Sequence, residues 1–190
     1  MKRRITPFVL LAVSLVVLLV SFLPAPLMNT QFGLDAAVIN PQNSDQTKSF
    51  IDFQISYPRW VRLDETGSVK LRINMNGADS GDLQGWQARL EMNGVVISPH
   101  GESRQRIAPG KETLFRWNIK PYKSKAGRGT LWVYSVRDNG QSQGEVSLIL
   151  AHPFEIRIWN WMGEAGWMAL RVIAAAGVLA GLIWLWVNRE

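Results

Sequence analysis

The feature that most constrains this chain is a hydrophobic run at residues 167–187, close to its carboxyl end. The run has 21 residues, and Arg171 is its only charged side chain. An α-helix rises about 1.5 Å per residue, so a helix of this length crosses the roughly 30 Å hydrocarbon layer of a bilayer. We therefore predict a transmembrane helix at 167–187, followed by a short cytoplasmic end at 188–190.

A second hydrophobic run covers residues 5–27 and follows a basic end at residues 1–4. A basic head before an apolar run is typical of a secretory signal or a signal anchor. The run is long for a cleaved signal, and no clear cleavage pattern of small residues follows it. We predict an uncleaved signal anchor that forms a transmembrane helix at 5–27, with a cleaved signal as the alternative.

The two predicted helices together imply a topology. The positive-inside rule keeps the basic end in the cytoplasm, so the chain would leave through the first helix and return through the second. We expect a two-pass protein of the bacterial inner (cytoplasmic) membrane. Both termini would be cytoplasmic, and the central domain would be extracytoplasmic.

The overall charge is explained by these membrane segments. A formal charge of +6 and a pI near 10.0 would suit a nucleic acid or another anionic partner. Residues 28–166, however, hold 16 basic and 14 acidic side chains, so most of the excess lies outside the central region. We therefore predict no nucleic-acid partner. The chain contains no cysteine, which excludes disulfides and thiolate chemistry.

The central region has the two-residue period of β-strands. Residues 28–48 are mostly polar and are interpreted as a linker or a loosely packed lead-in strand. In SVKLRINMN at 68–76, apolar and polar side chains alternate, as in a strand with one face on a core. Asn93-Gly94 predicts a hairpin turn into a return strand at 95–97. Seven to nine such strands and no helical period between 49 and 152 predict an antiparallel β-sandwich.

Four stretches of this region carry a resemblance to a known family. They are YPRWV at 57–61, GSVKL at 67–71, FRWNIKP at 115–121 and GRGTLWV at 127–133. Their order and spacing are similar to those of bacterial extracytoplasmic immunoglobulin-like domains that sit beside transmembrane helices. The resemblance implies an all-β immunoglobulin-like antiparallel sandwich at 49–152, flanked by two transmembrane α-helices. It implies no catalytic or ligand-binding residue.

Tryptophan residues mark the expected limits of the second membrane segment. Residues 153–166 are predicted to form an interfacial aromatic segment, because indole rings favour the headgroup zone of a bilayer. Arg171, one turn inside the helix, would extend to the headgroups or pair with a partner subunit. The predicted interface residues are Trp159, Trp161, Trp167, Arg171, Trp184 and Trp186.

Small residues in the second helix predict a packing surface. Gly177 and Gly181 form a G-x-x-x-G motif, and Ala176 and Ala180 place a second small pair beside it. Small residues four positions apart let another helix approach closely. The alternative is a passive anchor, since such motifs also arise by chance in spans rich in alanine and glycine.

A basic cluster lies near the end of the predicted domain. Lys120, Lys123, Lys125 and Arg128 fall within nine residues that contain no acid. The cluster is interpreted either as a solvated loop or as a contact for lipid headgroups or an acidic partner.

No catalytic or metal-binding constellation is recognisable in the sequence. The pattern G-x-S-x-G at 140–144 lies between two strands, whereas a nucleophile elbow joins a strand to a helix. His100 and His152 have no further ligands at the spacing of a zinc site. We predict that the protein is not an enzyme and uses no cofactor, no metal and no small-molecule substrate.

These predictions favour a structural role in a membrane. The expected function is a non-catalytic accessory or scaffolding subunit of a membrane protein assembly, whose helices pack in the bilayer. The sandwich would dock an extracytoplasmic partner, and the partners would be other membrane protein subunits and the lipid bilayer. The alternative is a standalone membrane-anchored receptor or sensor that binds an envelope ligand through the sandwich loops.

Overall fold

The computed structural model describes residues 5–35, 50–63, 65–76, 83–108, 111–123, 127–137, 145–160 and 163–187, and all structural statements refer to these. The chain divides into a helical unit, which contains both helices, and a β unit at Ala25–Trp159. The elements are α1 (Ile5–Ser21), β1 (Leu27–Asp35), β2 (Phe50–Pro58), β3 (Trp60–Arg62), β4 (Gly67–Asn76), β5 (Leu83–Met92), β6 (Val95–Ser98), β7 (Glu102–Arg106), β8 (Thr113–Pro121), β9 (Gly127–Arg137), β10 (Glu145–Trp159) and α2 (Gly163–Val187).

The β unit contains two sheets of five strands each. The strand order is β1-β2-β4-β8-β6 in the first sheet and β3-β10-β9-β5-β7 in the second. Neighbouring strands are antiparallel, except that β3 runs parallel to the end of β10. Phe53 of the first sheet meets Trp86 of the second edge-on, with ring centroids 5.7 Å apart. The two sheets therefore share one core, and the β unit is sandwich-like.

The core is built by the alternating residues that the sequence singles out. On β4, Val69, Leu71 and Ile73 are at most 1% exposed. On the neighbouring β8, Phe115 and Trp117 are equally buried, and their rings stack with centroids 5.9 Å apart. The predicted two-residue period is confirmed at both strands, because the polar residues between these positions point outward.

The predicted hairpin at Asn93-Gly94 is wrong in its strand pairing. Gly94 does adopt the positive φ of 78° that the turn chemistry predicts. The two strands that flank the turn, however, belong to different sheets. Strand β5 pairs with β7 and β9, whereas β6 pairs with β8. The turn therefore connects the two sheets. Strands β5 and β6 each have an apolar face, and with one strand in each sheet both faces can pack against the shared core.

The last strand is longer than the sequence suggests. Strand β10 pairs with β9 from Glu145 to Ile156 and ends at Trp159. It therefore includes the first half of the segment that we predict to be interfacial, 153–166. Trp159 packs edge-on against Trp60, with ring centroids 5.1 Å apart. This indole thus belongs to the β unit.

The prediction of two transmembrane helices that flank a sandwich is wrong. Within the described residues, only one helix, Ala165–Val187 with 23 residues, is long and apolar enough to cross a membrane. Helix α1 has 17 residues and ends at Ser21. Pro24 and Pro26 follow, and because a proline cannot continue the helical hydrogen bonds, the chain enters β1 at Leu27. The predicted 5–27 span is therefore shared between a short helix and a strand.

Candidate docking site

The edges of the two sheets are the surfaces where another chain can add a strand. An edge strand has unpaired N–H and C=O groups on one side, and proteins usually protect such edges by shortness, charge, proline or a bulge. The edges of the first sheet are β1 and β6, and those of the second are β3 and β7. Before Arg157, where its pairing with β3 begins, β10 also has one side that none of the described strands covers.

Four of these five edges carry a protective feature. Strand β3 has three residues, and β6 has four and is followed by Pro99. Strand β7 carries charges at Glu102, Arg104 and Arg106. The uncovered part of β10 has a bulge between positions 148 and 150 and a proline at 153. Each feature disfavours the addition of a further strand.

Along its first eight residues, strand β1 has none of these protections, and Asp35 at its end is its one charged residue. It has nine residues, LMNTQFGLD, with no proline and no lysine or arginine. It pairs with β2 without a bulge over its whole length, from Leu27 opposite Pro58 to Asp35 opposite Phe50. On its other side, no described strand covers it. We call this side the β1 edge.

The direction of the backbone groups along the β1 edge follows from one hydrogen bond. The Arg59 N–H donates to the Pro26 carbonyl at 3.0 Å, and this pair continues the β1–β2 register. Hydrogen-bonded pairs alternate along an antiparallel ladder, so residues 28, 30, 32 and 34 point their backbone groups at β2. The outward groups therefore belong to residues 27, 29, 31, 33 and 35. All five residues have both a donor and an acceptor.

The side chains of β1 also alternate between two environments. Phe32 and Leu34 are partly buried and pack against the core. On the opposite face, the Asn29 carboxamide oxygen accepts a hydrogen bond from the Ser56 hydroxyl at 2.6 Å. Leu27 is 62% exposed and Met28 44% exposed, which is high for apolar side chains on a strand. The strand is thus anchored along one side and presents apolar surface at its beginning.

His152 links β1 to the second sheet. Its ring lies 4.6 Å from the Phe32 ring, measured between centroids. Burial lowers the pKa of His152, because desolvation disfavours the charged imidazolium. The folded protein therefore holds this proton less tightly than the unfolded chain does.

A pH dependence follows from His152. Its contribution to stability is complete above the ordinary histidine pKa of about 6.5 and falls as the pH drops through that value. We expect urea unfolding to give a lower free energy of unfolding at pH 5.5 than at pH 7.5. This difference should be smaller in the His152→Gln variant than in the wild-type protein. The exposed His100→Gln is the matched control and should keep the whole loss. Equal losses in both variants would contradict this assignment.

The predicted helix-packing residues divide between two sides of α2. Gly181 is buried and Gly177 partly buried, whereas Ala176 and Ala180 are exposed. A Cβ added at Gly181 would lie 2.9 Å from the Cβ of Leu11 in α1. The glycine side of α2 therefore packs on the chain's own first helix. Ala174, only 4% exposed, continues this side towards the beginning of α2.

Arg171 also contacts the first helix. Its Nη2 donates to the Ser21 carbonyl at 3.4 Å, and its guanidinium lies 5.1 Å from the centre of the Phe22 ring. Ser21 is the last residue of α1, where the helix dipole favours a cation. Arg171 thus acts as a carboxyl-terminal cap of α1. This contact is an intramolecular alternative to the two roles predicted for it.

A substitution of Gly181 tests this packing. Gly181→Leu should force the helices apart, because the added side chain meets Leu11, and should cost about 1 to 2 kcal/mol through overpacking. Ala180→Leu, at the exposed neighbouring position, should cost little. The measurement is thermal loss of the helical circular dichroism signal in mild detergent. Equal melting of both variants would show that the glycine side does not pack on α1.

The predicted interface tryptophans lie in different surroundings. Trp167 is 5% exposed, whereas Trp186, at the far end of α2, is 76% exposed. Trp184 is partly buried, and Trp161 lies outside the described residues. The described indoles therefore differ widely in exposure. Their depth in a bilayer stays a prediction.

The predicted basic cluster is divided between the two sheets. Lys120 lies near the end of β8 of the first sheet and is exposed, as is Lys123 after the strand. Arg128 lies on β9 of the second sheet, where its Nε donates to the Glu155 carboxylate at 3.2 Å. Lys125 lies outside the described residues. Arg128 thus has an acidic partner within the chain, and the described residues do not form one acid-free patch.

An open cleft on the β unit lies over the second sheet. It has a volume of about 580 Å³ and is lined by charged and apolar residues that include Glu91, Met92, Arg128, Phe154 and Glu155. Both carboxylates already accept hydrogen bonds, Glu91 from the Trp132 indole and Glu155 from Arg128. In the described part of the chain, no group of three or more metal-ligating side chains comes together.

Comparisons with known proteins identify no relative. No family model matches the sequence, and a search of curated proteins finds no match. Neither comparison supports the resemblance to immunoglobulin-like domains. The structure supports a coarser statement, which is a mostly β protein with two packed sheets and one helix of membrane-spanning length.

The sequence analysis did not identify β1 as a sheet edge. Its residues fall at the start of the stretch interpreted as a linker or lead-in strand, 28–48. Only Phe32 and Leu34 give a two-residue period there, and polar residues such as Asn29 and Gln31 resemble a linker. The sequence feature that could have indicated an open edge is the absence of proline, lysine and arginine over nine residues. This absence is unusual for an edge strand, but it can be recognised only once the strand order is known.

Proposed function

We propose that this protein is a non-catalytic accessory subunit of a membrane protein assembly. Helix α2 anchors it in the bilayer, and the sandwich docks a partner by accepting a β-strand along the β1 edge. The single observation that carries the proposal is the unprotected β1 edge, beside four edges that are protected. Strand addition satisfies backbone groups on both chains and takes its specificity from alternate side chains.

The proposal includes the location of the sandwich. We place it on the extracytoplasmic side of a bacterial cytoplasmic membrane. The basic-then-apolar order at residues 1–27 is typical of an export signal, whether or not it is cleaved. The lack of cysteine is compatible with an oxidising compartment. A protease added to intact spheroplasts should then digest the sandwich.

A proline in β1 tests the docking role. The Gln31 N–H points away from β2, so Gln31→Pro removes an outward donor and leaves the β1–β2 ladder intact. Native membranes that contain the full chain are crosslinked, solubilised in mild detergent and sized. We expect the wild-type protein in a complex larger than a monomer and at least a tenfold loss of that complex in Gln31→Pro.

Two controls make this experiment specific. Gln31→Ala keeps the backbone donor and should keep the complex. The thermal melting of Gln31→Pro should stay within a few degrees of the wild type, which shows that the sandwich is folded. A wild-type protein that is strictly monomeric, or a Gln31→Pro complex of unchanged yield, would contradict the docking proposal. A receptor that binds through its loops predicts that unchanged yield.

A further inference from the structure

We propose that the occupant of the β1 edge is β1 of a second copy of this chain. This inference rests on the proposed docking function and names its partner. The two strands would run antiparallel about a twofold axis at Gln31. The two first sheets would then join into one continuous sheet of ten strands.

The backbone of β1 fits itself in this register. A twofold axis at Gln31 places residue 31 opposite 31, 29 opposite 33, and 27 opposite 35. These are the five positions whose N–H and C=O groups point outward, as the β1–β2 register requires. Every outward group of both strands therefore finds a partner. A shift of the register by one residue would oppose outward groups to inward ones, and a shift by two or more would leave strand ends unpaired.

The side chains of β1 are also compatible with self-pairing. On the core side, the register places Met28 opposite Leu34, so two apolar side chains meet. It also places Thr30 opposite Phe32, so the threonine methyl group can contact the ring. On the other side, Gln31 meets Gln31, and paired carboxamides can exchange hydrogen bonds. Asp35 is the one charged residue of the strand and falls opposite Leu27. No like charges oppose each other, which would otherwise destabilise a cross-strand pair.

Pairing of β1 with another edge of a second copy fits less well. Strand β6 offers four residues and β7 offers five, against nine in β1. Strand β7 would also place Glu102, Arg104 and Arg106 against the apolar and amide side chains of β1. A contact between two different edges builds a ring or an open filament of molecules, whereas the twofold contact closes as a dimer.

The lack of cysteine allows a direct test by crosslinking. In the proposed dimer, the two Gln31 residues face each other, so full-length Gln31→Cys in native membranes should be joined to itself by a short bis-maleimide. Gln54, opposite Gln31 on β2, is the matched control. Two Gln54→Cys residues would lie three strand spacings apart, about 14 Å, and should crosslink at least tenfold less.

A second pair of variants tests the register. Residue 29 of one chain should face residue 33 of the other, so co-expressed Asn29→Cys and Gly33→Cys chains should crosslink to each other. Asn29→Cys alone should not, because its two copies would lie about 13 Å apart along the strands. Self-crosslinking of Asn29→Cys at the yield of Gln31→Cys would overturn the proposed register.

The outcomes separate this inference from the docking function. A crosslinked homodimer that forms with Gln31→Cys and not with Gln54→Cys supports self-pairing. A Gln31→Cys adduct with a different protein overturns self-pairing and leaves the docking function standing. No adduct at Gln31, together with complexes that Gln31→Pro does not change, overturns both. Equal homodimer yields from Gln31→Cys and Gln54→Cys would indicate random collision and overturn self-pairing alone.

Discussion

Replacing Trp117 with alanine should lower the free energy of unfolding by about 3 to 5 kcal/mol, the largest single effect that we expect. The side chain is fully buried on β8, between β4 and β6 of the first sheet, and stacks on Phe115. Its removal loses a large apolar surface and leaves a cavity, because the strands on both sides are fixed by their ladders. Urea unfolding of the full chain in mild detergent, followed by circular dichroism, measures the loss.

A matched aromatic control separates burial from residue type. Tyr122 follows the same strand and is 57% exposed. Tyr122→Ala should therefore change the free energy of unfolding by less than about 0.5 kcal/mol. A Trp117→Ala loss below about 1 kcal/mol would mean that β8 does not lie in the centre of the core.

Gly129→Val should be the second largest change, at about 3 kcal/mol. Gly129 lies opposite Met92, where β9 passes close to β5. A Cβ at this position would overlap the Glu91 carbonyl oxygen and the Met92 side chain. A carbonyl in a sheet ladder cannot move aside as a flexible side chain can, so the two central strands would have to separate.

Gly33→Val is the control for this second change. Gly33 is also in a strand, but a Cβ there would meet nothing within 4 Å. The variant should keep the wild-type stability, again measured by urea unfolding. If Gly33→Val destabilised the protein as much as Gly129→Val, the effect would come from the valine backbone preference and not from the close approach of β9 to β5.

The parts of the fold that the sequence predicts are those set by local chemistry. Alternation at Val69, Leu71 and Ile73 predicts both a strand and its buried face, because each second side chain points to the same side. Asn93-Gly94 predicts a turn, because glycine tolerates the positive φ. Neither signal contains information about which strands become neighbours. That choice depends on how whole apolar faces are buried together, and the wrong pairing of β5 with β6 shows the limit.

The sequence predicts the lengths of the two apolar helices only in part. Hydrophobicity continues through residues 22–27, so composition alone extends the first helix to 27. The backbone restrictions of Pro24 and Pro26 end the helix earlier, and the following residues enter a sheet. Gly181 was predictable as a packing residue, but its contact with Leu11 was not, since a small-residue motif does not specify its partner helix.

Residue-resolved hydrogen exchange of the full chain in its native membrane shows whether a partner strand covers the β1 edge. An uncovered edge strand shows a two-residue alternation, in which amides bonded to the neighbouring strand exchange slowly and outward amides exchange quickly. We predict slow exchange at residues 29, 31 and 33 as well as at 28, 30, 32 and 34, and rapid exchange of 29 and 33 in Gln31→Pro. Rapid exchange at 29, 31 and 33 in the wild-type protein, beside slow exchange at 30 and 32, would contradict the proposed docking at this edge.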